Sequence, residues 1–180
     1  MYIFCSKALK AALNIKNNGF VKMVADAQLD KLYAWHGHIT KLDGKNTIIL
    51  MNDQTMYSLI FRNKLPRSAD KFSELIKEAL LYTMEVGGFN RPEIERYMTG
   101  IGDIIFAEKT DRQMTGNLNR AFLDLEWTGH RWNECESIQA EQAAFENKGI
   151  RKQGSAYVTP FEKMLDELIN VNPITEEAGD

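Results

Sequence analysis

The chain has little of what builds disulfide-rich, secreted or membrane-spanning proteins. Its 180 residues include two cysteines, Cys5 and Cys135, which stand far apart and form no motif. No apolar run approaches the ~20 residues that a helix needs to cross a bilayer. Lysines follow the short apolar start of the chain, which is the wrong order for a secretory signal. We therefore expect free thiols, a cytoplasmic location and no membrane partner.

Signatures of common enzyme sites are also missing. The sequence has no H-E-x-x-H or C-x-x-C metal pair, no Walker loop and no G-x-G-x-x-G phosphate loop. It has no G-x-S-x-G elbow for a nucleophilic serine. Carboxylates are abundant, but no pair stands out as general acid and base. We predict no catalytic residue, no metal and no cofactor.

The charge is modest and unevenly spread. Residues 1–130 carry 17 basic and 15 acidic side chains, whereas residues 131–180 carry 5 and 10. With a net charge of -3, the protein has no overall positive potential of the kind that indicates nucleic-acid binding. A local basic patch is still compatible with this charge. The acidic C-terminal part is either a solvating extension, which we favour, or a surface for a basic partner.

The hydrophobic pattern predicts an α+β fold with a small, mainly antiparallel sheet packed against several helices. Three segments rich in aromatic and β-branched residues form a meander, with turns at Asp43-Gly44 and at residues 52–54. The apolar run 47–51 predicts a strand covered on both faces. Further strands are expected at 2–5 and 103–107, and the meander strands are expected at 32–41, 47–51 and 55–62. Helical periodicity marks residues 68–86, 91–98 and 110–127, and Ser6 is placed to cap a helix that ends before Asn17-Asn18-Gly19.

We divide the chain into a core domain at residues 1–127, a helical extension at 128–172 packed on the core, and a disordered acidic tail at 173–180. Within the extension we expect a helix at 134–148 and a loop at 149–156. A last helix begins at Pro160, with Thr159 as its cap.

The helix that opens at residues 110–120 is the most informative segment. Thr110 and Gln113 have the spacing of a capping box. Its polar face places Gly116 opposite the core, where a glycine costs about 1 kcal/mol relative to alanine. We interpret this glycine as a position that another backbone or a ligand approaches closely. The core-facing stripe comprises Met114, Leu118, Ala121, Phe122 and Leu125.

The polar face of this helix has two interpretations of equal weight. Arg112 and Arg120 add full charges to the positive helix N-terminus, and Asn117 and Asn119 supply amides, so the face suits an anion or nucleic acid. Alternatively, the acidic C-terminal segment folds back onto this face and Gly116 makes room for it.

Two polar pairs on the meander also invite a functional interpretation. His36 and His38 point to the same side of a strand and offer two metal ligands, but a third ligand is missing. We favour histidines on the strand surface, with Trp35 on the core side. Asn52 and Asp53 suit a ligand site, but tight-turn chemistry explains them better.

Three motifs occurring in this order resemble an uncharacterised bacterial domain family, sometimes found near mobile elements. The family pattern has a W-H-A-N strand, a V-N-D-x-x-x-Y hairpin and a T-x-R-S-V-x-G-x-[LM]-N helix start. Here they stand as W-H-G-H (35–38), M-N-D-Q-T-M-Y (51–57) and T-D-R-Q-M-T-G-N-L-N (110–119), within roughly residues 1–127. The resemblance implies a spatial grouping of Trp35, His36, Asn52, Asp53, Arg112, Gly116 and Asn119.

The leading hypothesis is a non-enzymatic binding or regulatory protein, such as a phage or mobile-element inhibitor. It engages a protein or nucleoprotein, or nucleic acid directly, through the polar helix face. One alternative is an enzyme acting on nucleotides or nucleic acid, with acid–base groups at His36 and Asp53. Another is a homodimerisation module that uses the last helix, at residues 160–170.

Overall fold

A computed structural model describes residues 1–15, 29–108, 111–129 and 131–170. The predicted helix break at Asn17-Asn18-Gly19 and the predicted tail at 173–180 lie outside these ranges. The strands are β1 Tyr2–Cys5, β2 Ala34–Leu42, β3 Lys45–Asn52, β4 Ser58–Arg62, β5 Ile105–Ala107, β6 Arg151–Gln153 and β7 Ala156–Val158. The helices are α1 Lys7–Ala12, α2 Ala69–Gly87, α3 Arg91–Gly100, α4 Arg112–Thr128, α5 Ala140–Asn147 and α6 Pro160–Asn170.

The main sheet has the strand order β4-β3-β2-β1-β5. The meander β2-β3-β4 is antiparallel throughout, which confirms the predicted α+β class and its central hairpins. The sheet as a whole is mixed, because β1 lies parallel to both β2 and β5. A parallel pair needs a crossover connection, and α1 lies in the connection between β1 and β2.

Helices cover the sheet on both faces. On the first face, β-strand side chains such as Trp35, Leu50 and Phe61 pack with α1, α2, α3 and α6. On the second face, Ile49 and Met51 pack with the apolar stripe of α4. The double cover explains the continuous apolar run in β3 and confirms that this strand is buried on both sides.

The two turns of the meander have different physical origins. Asp43 and Gly44 both have positive φ, at 49° and 75°, as a two-residue type I′ hairpin turn requires. The second turn depends on Asn52, whose Oδ1 accepts hydrogen bonds from the Gln54 and Thr55 amides at 3.0 and 2.9 Å. Because this side chain holds the turn, β4 begins at Ser58 and the predicted start at residue 55 is wrong.

The helix boundaries follow from their caps. Gly88 ends α2 with φ of 103°, and Asn90 forms a capping box with Glu93 at the start of α3. In α4 the cap is Asp111, whose side chain accepts from the Gln113 and Met114 amides. The predicted cap at Thr110 falls outside the described residues. Among the helices in the described ranges, none has the length and apolar character needed to cross a membrane.

The predicted buried stripe of α4 is confirmed in full, since the buried residues of this helix are Met114, Leu118, Ala121, Phe122 and Leu125. These five side chains belong to one cluster with the second face of the sheet. The opposite face of α4 is therefore free to carry polar residues.

The C-terminal segment differs from its prediction in two places. Helix α5 spans Ala140–Asn147 and is shorter than the predicted 134–148. The predicted loop at 149–156 is wrong, because β6 and β7 form a hairpin there that turns at Gly154, with φ of 62°. Strands of three residues are too short to show an alternating pattern. Helix α6 begins at Pro160 as predicted.

The segment before α5 lies against the edge strand β4. The Arg62 amide donates to the Ser137 carbonyl and the Gln139 amide donates to the Ile60 carbonyl, both at 2.9 Å. The Asn147 side chain completes this cover, because it accepts from the Ser58 amide and donates to the Ser58 carbonyl. The predicted domain boundary at residue 127 stays a prediction. The hydrogen bonds along the outer edge of β4 come from residues after this boundary.

Replacing Asn52 with alanine should lower the free energy of unfolding by about 3–5 kcal/mol. The change leaves the Gln54 and Thr55 amides without their acceptor, at about 1–3 kcal/mol for each buried group. It also removes one of the two donors to the Leu32 carbonyl, which keeps its hydrogen bond from Tyr97. Urea denaturation measures the loss. Asn46→Ala is the matched control, because Asn46 is exposed on the same strand. A loss below about 1 kcal/mol would show that these groups find other partners.

Candidate functional site

Trp35 and Asn52 lie inside the protein and hold its framework together. Trp35 is fully buried, and its Nε1 donates to the Tyr97 hydroxyl at 3.0 Å. That hydroxyl donates in turn to the Leu32 carbonyl at 3.0 Å. Asn52 Nδ2 donates to the same carbonyl at 2.8 Å, so both residues converge on the segment that enters β2. Neither side chain is available to a partner at the surface.

His36 and Asp53 form a buried pair. Nδ1 of His36 lies 2.6 Å from Oδ1 of Asp53, and the two side chains are only 6% and 8% exposed. The prediction of a surface histidine at position 36 is wrong, because the face of β2 opposite Trp35 is also covered. An imidazole oriented by a carboxylate resembles the acid–base part of a catalytic triad. Here Nε2 is buried without a hydrogen-bond partner in the described parts of the chain, and the Phe4 ring lies 4.9 Å from the imidazole.

His38 is separate from this pair. Its Nδ1 lies 2.8 Å from the Ser6 hydroxyl, which also accepts from the Leu9 amide at 3.2 Å, at the cap of α1. Burial lowers the pKa of His38, so the ring is neutral at pH 7. The Phe122 ring of α4 meets it edge-on at 5.7 Å. This histidine therefore joins α1, β2 and α4.

Nucleophilic or metal chemistry finds little support in the described residues. Burial raises the pKa of the Cys5 thiol to about 12, so it stays protonated near neutral pH. Within residues 1–15, 29–108, 111–129 and 131–170, no group of three or more His, Cys, Asp or Glu side chains is arranged to hold a metal ion. His130, the remaining histidine, lies outside these ranges.

The outward face of α4 is open. Arg112, Gly116 and Asn119 are exposed, and a Cβ added at Gly116 would meet no atom within 4 Å. Two of the C-terminal acidic residues have partners away from Gly116: Glu134 pairs with Lys45, and Glu146 accepts from Gln142 at 2.9 Å and from the Thr128 hydroxyl at the end of α4. Within the described residues, nothing folds back onto Gly116.

Arg112 stands apart from the buried histidine pair. In the ranges that the structure covers, no hydrogen bond or ion pair joins the Arg112 guanidinium to His36 or Asp53. The residues that the resemblance groups thus lie in three places. Trp35 and Asn52 are in the interior, His36 and Asp53 form a separate buried pair, and the α4 residues are at the surface.

One side of α4 forms the wall of a cavity of about 1130 Å³, which we call the α4 groove. The predicted residues Asn117 and Arg120 line this wall. The facing walls come from the end of α5, residues 148–150 and the hairpin β6–β7. The lining also has four aromatic or aliphatic side chains that the sequence pattern does not identify as binding residues: Trp127, Phe145, Ile150 and Tyr157.

Three of these side chains are strongly exposed. Trp127 is 80%, Ile150 76% and Tyr157 73% exposed, all beside the same cavity. Grouped apolar exposure of this kind marks interaction sites, whereas scattered single residues do not. The sequence carries a signal for this site, because Ile150 directly precedes the basic pair Arg151-Lys152 and Tyr157 follows five residues after it. The prediction of a plain loop at residues 149–156 hides that signal.

The groove is more basic than the chain as a whole. Its lining has four cationic side chains, on Arg120, Lys148, Arg151 and Lys152, against the carboxylates of Asp124 and Glu146. Arg120 pairs with Asp124 at 3.0 Å. The other three cations have no carboxylate oxygen within 4.0 Å among the described residues. The groove lining therefore has two more cationic than anionic side chains.

Arg151 is the most firmly held of these cations. Its Nη1 donates to the Met56 carbonyl at 3.0 Å and to the Ser58 hydroxyl at 2.7 Å. Burial lowers the pKa of this guanidinium, while Glu146 and Asp124 oppose the shift through longer-range attraction. An arginine whose direction is fixed before binding loses less freedom when it meets an anion.

The fold is that of a small α+β domain whose central sheet is covered on both faces. A family model described as Domain of unknown function (DUF6933) matches residues 2–163, and the chain belongs to this family. The match extends beyond residue 127, through both strands of the hairpin and into α6. It confirms the resemblance to an uncharacterised domain family. No curated protein matches the chain.

Gly116→Ala should raise the free energy of unfolding by about 0.5–1 kcal/mol, because alanine is the better helix former and its methyl group meets open space. Thermal denaturation checks the gain. The same substitution at Gly37 is the contrasting control, since a Cβ there would lie 2.6 Å from side-chain atoms of Leu9 and Leu50. Gly37→Ala should cost about 1–3 kcal/mol. A loss of stability at position 116 would contradict the open face of α4.

Proposed function

We propose that this protein is a non-enzymatic binding protein whose partner occupies the α4 groove. The observation that carries the proposal is the grouping of three strongly exposed apolar side chains, Trp127, Ile150 and Tyr157, with an excess of cations along one cavity. Exposing a tryptophan and a tyrosine to water is unfavourable unless a partner covers them. Tryptophan, tyrosine and arginine are also the residues that most often dominate binding energy at interfaces.

The polar residues of α4 fit the same role. Asn117 and Arg120 face the groove, while Arg112, Gly116 and Asn119 continue the exposed surface around the helix. A partner that enters the groove and reaches over α4 meets amide groups and a guanidinium at the groove edge. It also meets a helix backbone that Gly116 leaves uncovered. This arrangement agrees with the interpretation of the glycine as a point of close approach.

The proposed partner is a protein or a nucleoprotein in the cytoplasm. Both cysteines are free thiols, which suits a reducing compartment. A regulator or inhibitor of the kind that a phage or mobile element encodes works by occupying its target. It needs a binding surface of this type and no catalytic group.

The enzyme alternative has one specific observation in its favour, the His36–Asp53 pair. It requires that a substrate reach Nε2 of His36, and this atom is buried. The residues lining the α4 groove include neither His36 nor Asp53. We therefore assign the pair to the interior packing beneath the binding surface.

The dimerisation alternative relies on α6. Met164 and Leu168 of its apolar stripe are buried against the core, and Phe161 and Leu165 are packed there in part. Ile169 stays 58% exposed, which leaves a narrow strip for a second copy. Light scattering over a range of concentrations decides this point, and we expect a constant monomer mass.

Trp127→Ala and Arg120→Glu should each abolish capture of a partner from host lysate while the melting temperature stays nearly constant. Removing a central interface residue weakens affinity by about 2 kcal/mol or more, or roughly thirtyfold. Both side chains project outward, so their removal disturbs little packing inside the protein. The measurement is a pull-down with tagged wild type and variants, with and without nuclease treatment.

Arg91→Glu is the matched control. Arg91 forms an exposed ion pair with Glu95 four residues along α3, as Arg120 does with Asp124 along α4. The control therefore repeats the charge reversal and the local helix geometry away from the groove. Equal capture by wild type and both groove variants would refute the proposal, and so would equal loss in the control.

A further inference from the structure

The aromatic side chains of the groove present free ring faces. Trp127 and Tyr157 take part in no ring stacking and no cation–ring contact within the described residues. Phe145, by contrast, lies under the Arg131 guanidinium at 4.0 Å. Two exposed rings that line one cavity each offer a face on which a flat group can stack. Every nucleobase has such a flat face, and stacking on aromatic side chains is how single strands are bound without sequence readout.

The cations of the groove stand close to these rings in the sequence and the fold. Lys148 follows α5, Arg151 opens β6, and Lys152 comes next, paired across the hairpin with Tyr157. Arg151 is anchored through Nη1 alone, and its Nε and Nη2 donate no hydrogen bond to a described residue. Unused guanidinium donors in a fixed orientation suit phosphate oxygens, with which they form charge-assisted bonds.

We infer that the α4 groove binds single-stranded nucleic acid, whose bases stack on Trp127 and Tyr157 and whose phosphates contact Lys148, Arg151 and Lys152. The inference rests on the proposed function and names the nucleic-acid part of a nucleoprotein partner as the part that enters the groove. A groove of about 1130 Å³ has room for more than one nucleotide, since small-molecule sites occupy about 300–1,000 Å³.

Charge and shape favour a single strand over two other anionic partners. A duplex hides its base faces inside the stack and leaves the two rings uncovered. An acidic peptide neutralises the cations but offers carboxylates rather than flat faces to the rings. A short single strand satisfies both features within the local positive patch.

The experiment measures fluorescence anisotropy with a labelled oligo-dT of about 12 nucleotides, a length within the range that small single-strand-binding folds cover. A duplex of equal length serves as the competing probe. We expect tighter binding of the single strand. Trp127→Ala and Tyr157→Ala should each weaken it by roughly fivefold or more, in line with one stacked base per ring. Lys152→Glu should weaken it and flatten the salt dependence by about 0.7 for each phosphate that the variant no longer neutralises.

The matched controls lie on α2. Tyr82→Ala truncates a tyrosine that is 46% exposed, and Lys71→Glu reverses an exposed lysine, both away from the groove lining. These variants should bind within about twofold of wild type, as surface changes away from a binding site do. Melting curves check that all variants are folded. We expect the Trp127 and Tyr157 variants to fold, because both side chains are strongly exposed.

Absence of single-strand binding by wild type would overturn the inference, as would equal affinity for the duplex or unchanged affinity in the groove variants. The lysate experiment then separates the two proposals. Nuclease-resistant capture that depends on Trp127 and Arg120 would leave the binding function standing, with a protein in the groove. Failure of both experiments would refute the groove as a binding site altogether.

Discussion

The Asn52 side chain joins the parts of the molecule on which the rest of the structure depends. Its Nδ2 holds the segment that enters β2, through the Leu32 carbonyl, and its Oδ1 holds the turn that leads to β4. The Thr55 hydroxyl of that turn donates to the same Oδ1 at 3.0 Å and lies 3.7 Å from the Met164 sulfur of α6. One buried amide thereby connects the meander, its turn and the last helix. Asp53, the next residue, is placed where it meets His36.

The two-sided sheet explains how a small chain keeps one helix face available. Most helices gather on the first face of the sheet, where the larger hydrophobic cluster forms. Helix α4 lies on the second face and buries a single stripe, so its remaining surface is left to form one wall of the groove. The hairpin β6–β7 supplies the facing wall, and Arg151 ties that hairpin to the Met56 carbonyl at the end of the meander turn. The groove thus rests on hydrogen bonds that reach the sheet.

The fold can be predicted from the sequence where a pattern is long or chemically specific. The stripe of α4, the Asp43-Gly44 turn and the run in β3 each have a direct physical meaning, and each is confirmed. The burial of His36 could not be predicted from the sequence. Alternation along a strand shows on which face of the sheet a side chain lies, but not whether a helix covers that face. The hairpin escapes it because its strands are three residues long. One wall of the groove comes from that hairpin, so the predicted binding residues that line the candidate site are Asn117 and Arg120 of the other wall.

The cover over β4 has a consequence for how the chain is divided. Backbone groups of residues 137–139 and the Asn147 side chain satisfy the outer edge of the strand Ser58–Arg62. A fragment that stops at residue 127 would present this edge bare, with Leu59, Ile60 and Phe61 in sequence along it. An uncovered apolar edge strand is a template for pairing with other chains, and such a fragment would self-associate. The C-terminal third therefore protects the N-terminal part from self-association by covering the edge of β4.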